Sequence, residues 1–177
     1  RIAQRLMSFN LDSFLIEVGG EIWAKGLKPG KRPWRIAVES PATDLKSVNG
    51  SGSGDGVVSL NEVRVVQRII DVSEVGVATS GDYRNYFENH GQRYSHIIDP
   101  VVGAPVQHNL VSVTVVDAST ARADAWATAL LVMGLERGLE AAEKNRLAVF
   151  FISKTNSGFK ETMSQRFNQY LVDDVSN

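Results

Sequence analysis

"LVSVTVVDASTARADAWATALLVMGLERGLEAAEKNRLAVFFISK", residues 110–154, holds a strand, a broken helix and a second strand in direct succession. Leu110 to Asp117 is short, rich in valine and apolar at nearly every position, which reads as a buried strand. From Ser119 to Asn145 alanine and leucine dominate. Ser119 or Thr120 can cap the start, and the pattern breaks at Gly134 and restarts as a second helical stretch. Leu147 to Lys154 then returns to a buried strand pattern. Strands, helix and strand in that order, with further strand candidates upstream, predict an α+β fold: a mixed, largely antiparallel sheet with packed helices.

Upstream, "FLIEVGGEIWAKG" (residues 14–26) reads as two short strands joined through Gly19 and Gly20. "PWRIAVES" (33–40) follows with Ile36 and Val38 on one face, as if continuing an antiparallel meander. "SVNGSGSGDG" (47–56) has no apolar face and a high ordering cost, so a flexible surface loop is expected there. "VVSLNEVRVVQRI" (57–69) and "SEVGVATS" (73–80) are further strand candidates. Beyond residue 158 the signals are weaker. At the other end, Ile2, Leu6 and Phe9 recur at helical spacing with no capping residue ahead of them. The chain therefore reads as beginning inside a helix, and is expected to be the later part of a longer protein.

The 177 residues are 43% hydrophobic, enough for a substantial core, and the formal net charge is −1. With no basic run and no aromatic stripe interleaved with lysines, nucleic acid is not an expected partner. There are no cysteines, which excludes a thiol nucleophile and a thiolate metal site. No apolar run reaches the ~18 residues of a membrane-spanning helix. Neither G-x-G-x-x-G nor a P-loop occurs.

Four places carry candidate chemistry. In "YSHIIDPVVGAPV" (94–106), Asp-Pro and Gly-Ala-Pro force a tight turn, so His96 sits on a defined backbone. It is either a structural hydrogen-bonding residue or a base poised near neutral pH. Asp124 and Thr128 lie four apart on one helix face and offer two oxygens to a hard cation such as Mg²⁺. The plainer explanation is that Asp124, in the first turn, answers the helix dipole, while Thr128 bonds a carbonyl of its own helix. "ATSGDYRNYFE" (78–88) combines small residues, which let backbone approach a ligand, with polar and aromatic edges. An ordinary turn explains it equally well. "VGGE" (18–21) is compatible with a plain hairpin.

The order of these segments is more informative than any one of them. "VGGEIWAKG", "PWRIAVESP", "ATSGDYRNYFE", "RYSHIIDPVVGAPV", "LVSVTVV" and "ADAWATALLVMG" resemble, in this order, segments of the ApbE family of FAD:protein FMN transferases. The resemblance spans nearly the whole chain, and SGDYRNYF and SHIIDPxxGxPV are its most specific parts. It implies an ApbE-like (T-fold-like) architecture, with residues 1–177 forming the C-terminal part of a single flavin transferase domain.

The resemblance implies a Mg²⁺-dependent enzyme that takes FAD as substrate, transfers FMN to a threonine hydroxyl of an acceptor flavoprotein as a phosphoester, and releases AMP. Acceptors include subunits of redox complexes. The family's metal ligands fall on Asp124 and Thr128, and its proposed base on His96. Its flavin-facing segments fall on Gly19, Gly20 and Glu21, and on Ser80, Gly81 and Asp82. A further metal ligand and much of the adenine and pyrophosphate pocket are expected from an upstream segment. The same residues are compatible with a Mg²⁺-dependent FAD pyrophosphatase giving FMN and AMP. A non-catalytic flavin-binding protein is the third reading, though pure binding does not require His96, Asp124 and Thr128. A periplasmic location with a lipid anchor at the inner membrane is implied by the resemblance alone.

Overall fold

The computed structural model describes residues 2–43, 64–81, 86–89, 92–95 and 97–172. The expected Gly/Ser loop at 47–56, and with it most of the strand candidate at 57–69, lies outside the described residues. After a short helix α1 (Ile2–Met7), strands β1 (Phe14–Val18) and β2 (Glu21–Lys25) form a hairpin. Its two-residue turn is Gly19–Gly20, with φ of 67° and 103°. Positive φ at both central residues matches the right-handed twist of the flanking strands, and glycine adopts it without strain.

Strands β3 (Trp34–Thr43), β4 (Arg64–Val72) and β5 (Val75–Gly81) follow. The meander expected from 33–40 does not continue. β3 pairs with β4 in a separate two-stranded ribbon, and β2 pairs instead with β5. Two short hairpins come next, β6 (Tyr86–Asn89) with β7 (Gln92–Ser95) and β8 (Ile98–Asp99) with β9 (Ala104–Pro105). The remaining elements are β10 (Leu110–Asp117), α2 (Thr120–Met133), α3 (Leu135–Lys144), β11 (Ala148–Thr155), β12 (Gly158–Met163) and a 3-10 helix (Gln165–Tyr170). The main sheet runs β1-β2-β5-β10-β11-β12. Its fold class is α+β as expected, and every strand pairing among the described residues is antiparallel.

Two apolar layers cover this sheet. On one face α2 presses Leu130, Leu131, Ala123 and Ala127, and α3 adds Ala142, onto Val113, Val115, Val149 and Phe151. On the other, the β3–β4 ribbon and the 3-10 helix bring Ile36, Val38, Ile70, Val72 and Phe167 onto Val77, Val116, Phe150 and Ile152. Strand β11 explains its own sequence: successive side chains of Ala-Val-Phe-Phe-Ile alternate between the two cores, so none meets water. Each large side chain so buried contributes about 1.5–3 kcal/mol. Phe150 stacks on Phe167 with ring centroids 5.4 Å apart. The ribbon is also tied to β12 by polar contacts, as Gln67 Nε2 and Arg68 Nε both donate to the Glu161 carboxylate.

Gly134 breaks the helix as expected. At φ 77° and ψ 175° it occupies backbone space that only glycine enters readily, and its missing Cβ makes room for the His108 ring. At the other end of α2 the expected caps do not act through their side chains. Asp117 Oδ1 instead accepts from the Ser119 N–H at 2.9 Å and faces Arg122 Nε at 3.4 Å. No helix among the described residues is long and apolar enough to cross a membrane.

Candidate functional site

The position of α2 is set by one close approach. Gly76 on β5 lies directly beneath Thr120, where a Cβ would come within 2.6 Å of the Thr120 backbone. From there helix and strand advance together. Eight helical residues rise about 12 Å, and four strand residues span about 13 Å, so Thr128 arrives level with Ser80. The two hydroxyls meet: Thr128 Oγ1 and Ser80 Oγ are 2.9 Å apart. Ser80 points to the helix face because its strand neighbours Val77 and Thr79 face the other way. Val77 enters the ribbon-side core, and Thr79 Oγ1 bonds Thr114 Oγ1 at 2.8 Å.

The register of the sheet brings other candidates to the same end. Ile22 of β2 pairs with Val77, so the Gly19–Gly20 turn reaches the level of Thr79 and Ser80. Gly81 pairs with Ser112, and Ser80 with Val113, at the opening residues of β10. Gly19, Gly20 and Glu21 on one side, and Ser80, Gly81 and Thr128 on the other, therefore occupy one end of the sheet on adjacent elements. The Glu21 carboxylate folds back over its own turn, with Oε2 3.0 Å from where a Cβ on Gly19 would be.

Asp124 requires a correction. It does not stand in the first turn of α2, which begins at Thr120 and contains no acid. The helix dipole is felt chiefly within that first turn, so it no longer accounts for this carboxylate. Asp124 is exposed and its carboxylate makes no hydrogen bond or ion pair among the described residues, while its helical neighbour one turn on, Thr128, turns its hydroxyl to Ser80. The alternative by which Thr128 would bond its own helix is thus replaced by a contact to β5. A carboxylate one helical turn before a hydroxyl, which is itself bonded to a second hydroxyl, offers only oxygen donors, the chemistry that Mg²⁺ prefers. The donor types fit that ion. Among the described residues there is no cluster of three His, Asp or Glu that could hold a metal.

His96 and Asp82 lie outside the described residues. The hairpin that follows His96 is described: Val106 N–H donates to the Ile97 carbonyl, and Ile98 pairs with Pro105. Its tip is tightened by Asp99, whose Oδ1 accepts from Val101 N–H and whose carbonyl accepts from Gly103 N–H, both at 2.8 Å. The tight turn read from Asp-Pro and Gly-Ala-Pro is therefore present. Sequence reading passed over His108, which packs on Gly134 with both ring nitrogens buried and unpartnered among the described residues. A lone histidine ahead of a strand carries no signal that distinguishes it.

Comparison with known proteins gives consistent results. The family model described as "ApbE family" matches residues 1–151. The FAD:protein FMN transferase of Vibrio cholerae is 46% identical over 170 residues, covering 96% of this chain and 46% of that protein. That of Haemophilus influenzae is 40% identical, covering 96% and 44%. Among solved structures, the apo form of the flavinyl transferase ApbE of Pseudomonas stutzeri superposes with a TM-score of 0.75 at 40% identity, over 98% of this chain and 48% of that one. The ApbE protein of Thermotoga maritima gives 0.72 at 29% identity, over 96% and 48%. The chain spans about half the length of the curated relatives that it matches.

Proposed function

The chain belongs to the ApbE family, and from that premise we propose that it carries one side of the active site of a Mg²⁺-dependent enzyme transferring FMN from FAD to an acceptor flavoprotein. FMN becomes esterified to a threonine hydroxyl of the acceptor, and AMP leaves. The observation that supports this reading best is the 2.9 Å contact between Ser80 and Thr128. It joins a segment assigned to flavin with a helix assigned to metal, as a reaction at the phosphates of FAD requires.

In this reading the Gly19–Gly20 turn and the backbone of Ser80 and Gly81 receive the flavin portion of FAD. Glycine at the turn removes the side chains that would obstruct a planar ring. Asp124 and Thr128 would hold the metal ion, with Asp124 supplying ligand charge and Thr128 a neutral oxygen. A bound Mg²⁺ would supply charge neutralisation at the phosphate oxygens. His96 takes the proton of the acceptor threonine, because a hydroxyl is a weak nucleophile near neutral pH and an imidazole titrates in that range. The threonine oxygen forms its bond to the FMN phosphorus. The anhydride bond on its far side breaks, and its electron pair leaves with AMP.

The test uses the full-length gene product, incubated with FAD, Mg²⁺ and a candidate acceptor domain, with the acceptor's intact mass as readout. A mass increase of one FMN, absent when the acceptor threonine is replaced, supports transfer. Release of AMP and FMN from the same mixture with every acceptor unmodified would point to a pyrophosphatase. We extend the proposal to redox-complex subunits as acceptors and to a lipid-anchored periplasmic location; fractionation of cells expressing the full-length product tests the latter.

A further inference from the structure

A threonine inside a helix ordinarily satisfies its hydroxyl on the carbonyl one turn back, here that of Asp124. Thr128 meets Ser80 of a different element instead. Thr128 is exposed and Ser80 half-buried. Water can replace either partner at such a place, so the bond adds little to folding. What it does fix is direction. A hydroxyl has one hydrogen and two lone pairs. If the Thr128 hydrogen is given to Ser80 Oγ, the Thr128 lone pairs are left for another partner, and the oxygen cannot swing back along its helix.

Both ends of the contact are held rigidly. Ser80 is locked in the β5–β10 ladder opposite Val113, and α2 is seated by Gly76 under Thr120. We infer that Ser80 is a positioning residue that accepts the Thr128 hydrogen and so holds the Thr128 oxygen toward a divalent cation shared with Asp124. This inference rests on the proposed reading of Asp124 and Thr128 as ligands. It reassigns the Ser80 side chain from flavin contact to support of the metal ligand, leaving only its backbone for the flavin.

The experiment is calorimetric titration of Mg²⁺ into the full-length gene product, for the parent protein and the variants Ser80→Ala, Ser80→Thr and Asp124→Asn. FAD binding is followed in parallel by flavin fluorescence without metal. Loss of a partner that orients a metal ligand costs roughly 10-fold or more in metal affinity. Ser80→Ala is expected to weaken Mg²⁺ binding about that much while metal-free FAD binding stays unchanged, and Ser80→Thr, which keeps the oxygen, is expected to restore the parent affinity. Unchanged Mg²⁺ affinity in Ser80→Ala, with Asp124→Asn impaired, overturns the positioning role and leaves the metal ligands standing. Parent-like Mg²⁺ affinity in Asp124→Asn overturns the metal reading itself, and the inference with it.

Discussion

Gly76 and Thr120 touch at a separation that no side chain would permit, since a Cβ on Gly76 would stand 2.6 Å from both the nitrogen and the Cα of Thr120. The obstruction is backbone, which cannot rotate aside. This contact sets how far along β5 the helix begins, and therefore which residues meet eight positions later. Gly76→Ala is expected to push the start of α2 off the sheet. Forced overpacking of this kind costs about 1–3 kcal/mol, readable by urea denaturation. Because the shift is carried along the helix, Mg²⁺ affinity should fall as well. A variant as stable as the parent would show that the helix seat is more compliant than its spacing indicates.

Asp124 offers the opposite case, a charged residue with nothing to hold. Exposed and without an ion-pair partner among the described residues, it can be changed to asparagine with a stability change of at most about 0.5 kcal/mol. FMN transfer, by contrast, is expected to be lost from Asp124→Asn under conditions where the parent modifies the acceptor completely. Thermal melts beside the intact-mass assay separate the two effects. A marked drop in melting temperature would assign Asp124 to the fold.

His96→Ala is expected to abolish acceptor modification while FAD binding remains close to that of the parent. The proton of the acceptor hydroxyl then has no recipient, but the flavin contacts proposed on the β1–β2 turn and β5 are untouched. Equilibrium binding by flavin fluorescence, run with the mass assay, checks both halves. Transfer at the parent rate would remove histidine from the role of base.

Ser164 is a purely structural prediction. Fully buried, its Oγ donates to the Leu147 carbonyl at 2.7 Å and accepts from the Val149 N–H at 2.9 Å, clamping the start of β11 to the segment before the 3-10 helix. Alanine would leave two backbone groups buried without those bonds. The expected loss is about 2–3 kcal/mol, measured by denaturant unfolding, with no change in the metal affinity of the folded protein. A loss below 1 kcal/mol, roughly the net value of one replaceable hydrogen bond, would mean that water enters the clamp.

The fold was most legible where a pattern is long and local. Leu110–Asp117 is a strand over the residues expected, the helix divides at Gly134, and Gly19–Gly20 forms the turn between β1 and β2. What failed was the choice of partners. Alternation in β3 marks a buried face, shown by Ile36 and Val38, but says nothing of which strand lies beside it, and β4 rather than the main sheet proved to be the answer. The start of α2 was read correctly, with Ser119 at the N-cap, but Asp124 is the fifth helical residue counted from Thr120 and so stands beyond the first turn in which it was placed. The meeting of Ser80 with Thr128 was out of reach of any local pattern. It depends on two residues 48 positions apart, brought level by a single glycine whose importance is visible only once the helix rests on it.

Strand β11 has a consequence for how the molecule opens. Its side chains belong alternately to the two cores, so neither core can loosen without stripping the other. The two layers thus form one cooperative unit, and the amide hydrogens of Val149 to Phe151 should exchange with solvent only when the whole chain unfolds. The exposed oxygens of Asp124 and Thr128 sit outside that unit's interior. On the proposed reading, substrates would come and go at the sheet end while the interior stays closed, so that turnover of the site would be separate from the lifetime of the fold.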